Sequence, residues 1–268
     1  MKLETQCLHA GYSPESTTNS CAVPLYKTSS FVFNNTEHAA NLFGLRELGN
    51  IYTRLMNPTT DVLEQRVAAL EGGAAALGIA SGTSAVFYSI INLAQEGDEI
   101  ISANNLYGGT YTQFNDILPK FGIKVKFVDP NNPADFAAAI TDKTKALFCE
   151  SVSNPGLDVA DIKAIANVAD DHGIPLIVDS TFSTPYLTNP IEHGASIVIH
   201  SLTKWMGGHG NGIGGIVVDS GTFNWKNGNF PLYDNPDNSY HGLRWGHDLP
   251  EPLAPVAYIL RMRTVPLR

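Results

Sequence analysis

Residues 146–180 read ALFCESVSNPGLDVADIKAIANVADDHGIPLIVDS, and this stretch decides the fold. It begins with a short apolar run at 146–149, continues through a predicted helix at 159–172, and ends with a second apolar run at 175–178. A strand, a helix and a strand in this order form a βαβ unit, in which the two strands run parallel. The stretch therefore predicts an α/β protein.

The same alternation extends in both directions along the chain. Strands are predicted at 76–80, 99–102, 124–128, 146–149, 175–178, 197–199 and 215–218. Helices are predicted at 36–48, 60–70, 84–93, 109–118, 134–140, 159–172 and 252–262. Short apolar strands separated by helices indicate a mostly parallel central sheet with helices on both faces. The strand at 215–218 has no clear helix before it and is expected to run antiparallel.

The composition excludes several classes of protein. Hydrophobic residues make up 43% of the 268 residues, which is enough for a large core, so the chain is not disordered. The 26 acidic residues outnumber the 17 basic residues, and the net charge is −9. Non-specific binding to nucleic acid or to an anionic membrane needs a basic surface, so neither is expected as a partner.

The sequence carries no signal for export, membrane insertion or metal binding. Residues 1–6 contain an acid and lack the apolar core of a signal peptide, and no apolar run approaches the length of a membrane span. The three cysteines form no CxxC pair, and the eight histidines show no metal-ligand spacing. A cytoplasmic protein with neither a metal nor a disulfide framework is expected.

Candidate binding residues follow the predicted strands, because open α/β sheets bind ligands at the carboxyl ends of their strands. The turn SGTS at 81–84, which contains Gly82 and Thr83, opens a predicted helix. Free N–H groups at a helix start suit a phosphate. Asp179 ends an apolar strand, where a carboxylate is costly unless a cation or an N–H group pairs with it.

Lys204 is the candidate nucleophile at a third strand end. Its apolar neighbours include Leu202 and Trp205, so a desolvated, reactive amine is expected. Ser201 and Thr203 place two hydroxyl groups close to it in the sequence. Amine, acid and phosphate donors are the set that pyridoxal 5′-phosphate (PLP) needs for its aldehyde, its pyridine nitrogen and its phosphate.

Each of these residues also has an ordinary structural explanation. Most lysines are surface residues, and Asp179 alone is a reasonable helix cap. Tyr107, after another predicted strand, offers an aromatic face for the ring, although a half-buried loop tyrosine is the common case. Lys27 is a rival amine, but no acid-ended strand accompanies it. The joint placement at strand ends is what favours a PLP site.

The hexapeptide GNGIGG at 210–215 matches the dinucleotide-binding pattern G-x-G-x-x-G. That pattern has to follow a strand and open a helix, whereas this one leads into a predicted strand. It is interpreted as a glycine turn beside Lys204.

Four motifs resemble those of the Cys/Met-metabolism PLP-dependent enzymes of fold type I. They are IYTRLMNPT at 51–59, YGGT at 107–110, VDST at 178–181 and SLTK at 201–204. Within that family, residues 4–12 and 31–44 are most similar to the O-acetylhomoserine sulfhydrylases. The resemblance covers essentially the whole chain and implies the large domain of the type I fold.

The resemblance implies a role for each matched residue. Lys204 would bind PLP covalently and move protons as a catalytic residue, Asp179 would pair with the pyridine nitrogen, and Tyr107 would stack on the ring and act in catalysis. Asn154 would lie near the cofactor O3′ and the substrate carboxylate. The phosphate would be bound by Gly82, Thr83, Ser201 and Thr203, together with Tyr52 and Arg54 of a neighbouring subunit.

The implied organisation has three parts. Residues 1–58 form an arm and helix that contribute to the neighbouring subunit, and residues 59–252 form the PLP-binding α/β domain. Residues 253–268 start a linker helix toward a C-terminal domain that is absent from the sequence and that supplies the arginine for the substrate carboxylate. A terminal helix docked on the sheet is the alternative interpretation of 252–262.

The implied reaction is a γ-replacement in methionine and cysteine biosynthesis. Sulfide takes the place of acetate on O-acetylhomoserine, and the product is homocysteine. The expected assembly is a homotetramer built as a dimer of dimers. Two alternatives stay open: methionine γ-lyase or cystathionine γ-synthase activity on the same scaffold, and a fragment that binds PLP without catalysis.

Overall fold

A seven-stranded sheet forms the centre of the computed structural model, which describes residues 1–267. Its strands are β1 (Ala75–Ile79), β2 (Glu99–Ala103), β3 (Lys124–Val128), β4 (Thr144–Glu150), β5 (Leu176–Asp179), β6 (Ile197–Ser201) and β7 (Gly215–Asp219). Their order across the sheet is β1-β7-β6-β5-β4-β2-β3. Only β7 is antiparallel to its neighbours β6 and β1; every other adjacent pair is parallel. The predicted parallel sheet and its antiparallel strand are both confirmed.

Helices precede, connect and follow these strands. They are α1 (Leu3–His9), α2 (Thr36–Phe43), α3 (Pro58–Glu71), α4 (Gly82–Ile91), α5 (Gly108–Thr112), α6 (Pro133–Ala139), α7 (Ile162–Asp171), α8 (Thr184–Leu187), α9 (Pro231–Asp234) and α10 (Ala257–Thr264). A π-helical segment, Gln113–Ile117, continues α5. Among residues 1–267, no helix has both the length and the apolar character that crossing a membrane requires.

The central strands are buried on both faces. Every residue of β2, β4 and β7 is buried. Successive residues of a strand point to opposite faces, so complete burial means that both faces of the sheet are covered. This is why these strands appear in the sequence as continuous apolar runs rather than as alternating patterns.

Capping side chains move two helix starts away from their predicted positions. The helix predicted at 159–172 begins at Ile162, because the Asp161 carboxylate accepts the N–H of Ala164 at 3.0 Å. The helix predicted at 60–70 begins earlier, at Pro58, because the Asn57 side chain accepts the N–H of Thr59 at 2.9 Å. Proline suits this first position, where its missing N–H has no helical partner.

The N-terminal segment contains a short helix that the sequence pattern does not predict. Helix α1 packs on α3, and Nε of Arg66 donates to the carbonyl of Ala10 at 2.9 Å. Residues 12–33 form neither a helix nor a strand, apart from an isolated bridge between Ser30 and Tyr52. This segment is therefore largely irregular, and α1 packs the residues before it onto the same chain.

Helix α10 is docked on the sheet, which agrees with the second interpretation of 252–262. It contacts β1 and β7, and Tyr258 and Met262 are fully buried. Nη1 of Arg261 donates to both the backbone and side-chain oxygens of Asn92 at 2.9 Å. Arg268, the last residue of the predicted linker 253–268, lies outside the described residues.

Asp219, at the end of β7, is a carboxylic acid without access to water. Its Oδ1 accepts the N–H of Gly221 at 2.9 Å, while Oδ2 has no hydrogen-bond partner among the described residues. Burial raises the pKa of Asp219 from 3.8 to about 7, and the bond from Gly221 acts in the opposite direction. The folded chain therefore holds a proton at Asp219 under conditions where the unfolded chain has released it.

Asp219→Asn is expected to reduce the loss of stability with rising pH. Because the folded pKa lies above the unfolded value, the contribution of Asp219 is complete below pH 3.8 and is lost as the pH rises through about 7. Between about pH 5 and pH 8, the unfolding free energy of the parent should fall relative to that of the variant by on the order of 2 kcal/mol. Urea denaturation at both pH values measures this difference, and a constant difference would contradict the prediction.

Candidate functional site

The carboxyl ends of the parallel strands meet in a single cavity. It has a volume of about 580 Å³. Eight of the ten predicted site residues line it: Gly82, Thr83, Tyr107, Asn154, Asp179, Ser201, Thr203 and Lys204. The parallel arrangement of the sheet thus brings together segments that are more than a hundred residues apart in the sequence.

The start of α4 forms the end of the cavity suited to an anion. Ser81 caps the helix, and its Oγ accepts the N–H of Ser84 at 3.1 Å. The N–H groups of a first helical turn have no helical carbonyl to bind, and they carry the positive end of the helix dipole. Ser201 lies directly beside this turn, because a Cβ placed on Gly82 would be 2.5 Å from the Cβ of Ser201. The start of α4 and the Ser201 side chain therefore lie next to each other in the lining of the cavity.

Asp179 lines the cavity, and one of its two carboxylate oxygens is engaged in hydrogen bonds within the described residues. Oδ1 accepts both the N–H of Thr181, at 3.0 Å, and its hydroxyl, at 2.6 Å. Thr181 in turn accepts the N–H of Ser201 at 2.8 Å, which fixes it between β5 and β6. Within residues 1–267, both hydrogen bonds to the carboxylate of Asp179 reach Oδ1, and none reaches Oδ2. Burial raises the pKa of Asp179, and the bonds from Thr181 oppose this shift.

Lys204 lines the same cavity, but its predicted desolvation is wrong. Its side chain is exposed. Of the apolar neighbours that were expected to cover the amine, Leu202 is half-buried against the core, whereas Trp205 is 66% exposed. The amine therefore has direct access to an aldehyde arriving from solvent.

Glu150 is a site residue that the sequence analysis did not select. It ends β4 directly beside Asp179 of β5 and lines the cavity. Burial, reinforced by the charge of Asp179, raises the pKa of Glu150 to about 8. The sequence did contain a signal, since Glu150 follows an apolar strand in the same way as Asp179.

Tyr52 and Arg54 lie outside the cavity that holds Lys204. Both are exposed, and Cζ of Arg54 lies 4.9 Å from the centre of the Tyr52 ring. Arg54 lines a neighbouring cavity of about 450 Å³, and Thr203 lines both cavities. Within one chain, these two residues are therefore close to the site without being part of it.

The glycine segment at 210–215 is a turn that leads into a strand, as predicted. Gly210 belongs to the lining of the cavity, and Gly215 begins β7. A Cβ on Gly215 would lie 2.2 Å from the carbonyl oxygen of Ser81. Glycine is thus needed where β7 passes the start of α4. No group of three His, Cys, Asp or Glu side chains in the described part of the chain is arranged to hold a metal ion.

Comparison with known families identifies the group of proteins to which the chain is related. The sequence profile of the Cys/Met metabolism PLP-dependent enzymes matches residues 4–238. The chain belongs to this family. The predicted fold, the large domain of the type I PLP-dependent transferases, is confirmed by structural neighbours.

Relatives within this PLP-dependent family show high identity over the whole chain. The O-acetyl-L-homoserine sulfhydrylase of Leptospira meyeri is 54% identical, over 100% of this chain and 61% of its own length. The homocysteine synthase of Schizosaccharomyces pombe is 50% identical, over 99% of this chain and 62% of its own. The chain thus spans about three fifths of the length of these curated relatives.

A solved structure of this family has the same fold. It is a Campylobacter jejuni protein described as an O-acetylhomoserine (thiol)-lyase, with a TM-score of 0.90 and 39% identity. The match covers 100% of this chain and 71% of that one. That protein carries an N′-pyridoxyl-lysine-5′-monophosphate at its position 205.

Gly82→Ala is expected to destabilise the chain by about 1–3 kcal/mol, because its Cβ overlaps Ser201. Gly108→Ala is the matched control, since Gly108 also begins a helix but a Cβ there meets no atom within 4 Å. The control should be as stable as the parent or slightly more stable. Chemical denaturation of both variants tests the prediction, which fails if they are equally stable.

Proposed function

We propose that this chain binds PLP in the cavity at the carboxyl ends of its strands and takes part in O-acetylhomoserine sulfhydrylation. The observation that carries the proposal is the convergence of Lys204, Asp179 and the start of α4 on one cavity. These groups supply an amine, an acid with a free oxygen and an anion site, which match the aldehyde, the ring nitrogen and the phosphate of PLP. The names of the relatives point to the same chemistry.

The roles proposed for the lining residues follow from their positions. Lys204 binds the aldehyde, Asp179 pairs with the ring nitrogen through Oδ2, and Tyr107 covers one face of the ring. Asn154 binds near the cofactor hydroxyl and the substrate carboxylate. The phosphate is bound by Gly82, Thr83, Ser201 and Thr203.

In the proposed reaction, sulfide replaces the acetate of O-acetylhomoserine, giving homocysteine and acetate. When bound, PLP supplies an electron sink that makes the substrate carbons acidic. Nζ of Lys204 moves protons at the substrate Cα and Cβ, a task for which its exposed and flexible side chain is suited. Asp179, charged while its partner nitrogen is protonated, holds that nitrogen in place.

A second copy of the chain is proposed to complete the site. The apolar residues beside Lys204 are exposed, and the exposed pair Tyr52 and Arg54 lies at the adjacent cavity. Arg54 of one copy placed over the helix start of the other would add a cation for the phosphate. We propose a dimer of dimers in the cytoplasm, with residues 1–58 reaching the neighbouring copy.

The domain boundaries remain part of this proposal. Residues 59–252 hold the lining of the cavity, and 253–268 are proposed to lead toward a further domain. In the described residues, α10 is already attached to the core, because Arg261 of α10 donates hydrogen bonds to Asn92 at the end of α4. A following domain would therefore be joined to a segment that is fixed to the sheet.

The test is the conversion of O-acetylhomoserine and sulfide into homocysteine by the chain loaded with PLP. Lys204→Ala should lower the rate by at least about a hundredfold, because positioned proton transfer contributes that much. Lys27→Ala, the same change at the rival lysine, should leave the rate unchanged.

The alternatives give different results in the same assay. Cleavage of methionine in preference to sulfhydrylation would support a γ-lyase, and condensation with cysteine would support a cystathionine synthase. Bound PLP without turnover of any of these substrates would contradict the proposed activity and would indicate a binding role. An equal rate for Lys204→Ala and the parent would remove the proposed mechanism altogether.

A further inference from the structure

Glu150 forms hydrogen bonds to two loops, and each loop carries a residue that is proposed to contact the cofactor. It is the last residue of β4, it is 6% exposed, and it is paired in register with Asp179. Its Oε1 accepts the backbone N–H of Tyr107 at 2.7 Å, and its Oε2 accepts the backbone N–H of Asn154 at 3.1 Å. Each oxygen therefore holds a different loop.

The two loops come from separate parts of the sheet. Tyr107 lies between β2 and α5, where it precedes the first residue of the helix. Asn154 lies in the turn that follows β4. Because Tyr107 is 47% exposed, the fixed position of its backbone is an important restraint on where its ring lies. A single buried carboxylate thus sets the separation of two side chains that line the same cavity.

A charged carboxylate at this position is unfavourable in free energy, so Glu150 needs partners that compensate for its burial. Glu150 is buried beside the carboxylate of Asp179, and both effects disfavour its charge. A neutral carboxamide of nearly the same shape would avoid this cost. It would, however, offer one acceptor oxygen instead of two, and its NH₂ group would face an N–H donor. Both loop amides therefore find an acceptor oxygen when Glu150 is charged, which is the case at a pH above its pKa of about 8.

We infer that Glu150 is a positioning residue, which holds the ring of Tyr107 and the side chain of Asn154 in their places around the bound cofactor. The inference rests on the proposed function. It adds a residue that acts through two loops and does not itself touch the reacting atoms. It also gives the two acidic residues at the ends of neighbouring strands different roles. Asp179 binds the ligand, and Glu150 binds the loops that line the cavity.

The test compares Glu150→Gln with Glu99→Gln. Glu99 is the matched control, since it is a buried strand glutamate, 8% exposed, whose carboxylate also has two partners, Lys126 and Thr141. It begins β2, at the opposite edge of the sheet from the cavity. The two variants therefore make the same chemical change, one at the site and one away from it.

Affinity for PLP and the visible circular dichroism of the bound cofactor are the readouts. At about pH 9, where Glu150 is mostly charged, Glu150→Gln should bind PLP about tenfold more weakly than the parent, since one hydrogen bond to a charged group is lost. Its visible dichroism should also change, because the ring of Tyr107 shifts relative to the cofactor. Glu99→Gln should match the parent in both. Parent-like affinity and dichroism in Glu150→Gln would overturn the inference.

Amide hydrogen exchange of the unsubstituted, cofactor-free chain supplies a second test that does not depend on the stability of any variant. The N–H groups of Tyr107 and Asn154 should be protected, since both bind Glu150. Exchange of both at the rate of open loops would overturn the inference. Failure of the parent to bind PLP would instead overturn the proposed function, and the exchange rates would still show whether Glu150 holds the loops.

Discussion

The carboxylate of Asp179 is half-buried at the end of a strand, in the lining of the cavity, and the arrangement of the site depends on this placement. Burying a charged carboxylate is unfavourable unless hydrogen bonds and an opposite charge compensate for it. Thr181 supplies hydrogen bonds to one oxygen and is itself fixed by the N–H of Ser201. The other oxygen is left to a partner from outside the chain. A cationic ring nitrogen supplies both a hydrogen bond and an opposite charge, whereas a neutral donor supplies only the hydrogen bond.

The surroundings of Asp179 also affect the reactivity of the cysteine next to the cavity. Cys149 precedes Glu150 on β4 and is fully buried, and burial together with two nearby carboxylates raises the pKa of its thiol to about 12. A thiol in this environment stays protonated and unreactive. Lys204 lines the cavity from an exposed turn, so its amine, unlike the buried thiol of Cys149, is accessible to a ligand.

Most of the strands and eight of the residues that line the cavity could be predicted from the sequence. Continuous apolar runs identified the buried strands, and the rule that parallel strands end at the same edge brought Asp179, Ser201 and Lys204 together. The exposure of Lys204 could not be predicted, because apolar neighbours such as Trp205 indicate burial only if something packs on them. Local sequence cannot show what packs on a turn.

Other differences between the prediction and the structure have local causes that the apolar pattern did not reveal. Asn57 and Asp161 are good helix caps, and they set the starts of α3 and α7 more accurately than apolar spacing does. Helix α1 depends on packing against α3, so its short sequence gives little signal by itself. Glu150 had the same position relative to its strand as Asp179, but its two loop partners become visible only in three dimensions.

The most direct measurement of the central claim is borohydride reduction of the chain in the presence of PLP, followed by peptide mass mapping. Surface lysines in general react slowly with an aldehyde. Preferential labelling of one lysine therefore shows that the acid and the anion site bind PLP next to that amine. The account predicts that stoichiometric labelling is confined to the peptide that contains Lys204. Equal labelling of the peptide with Lys27, or labelling spread over the surface lysines, would contradict it.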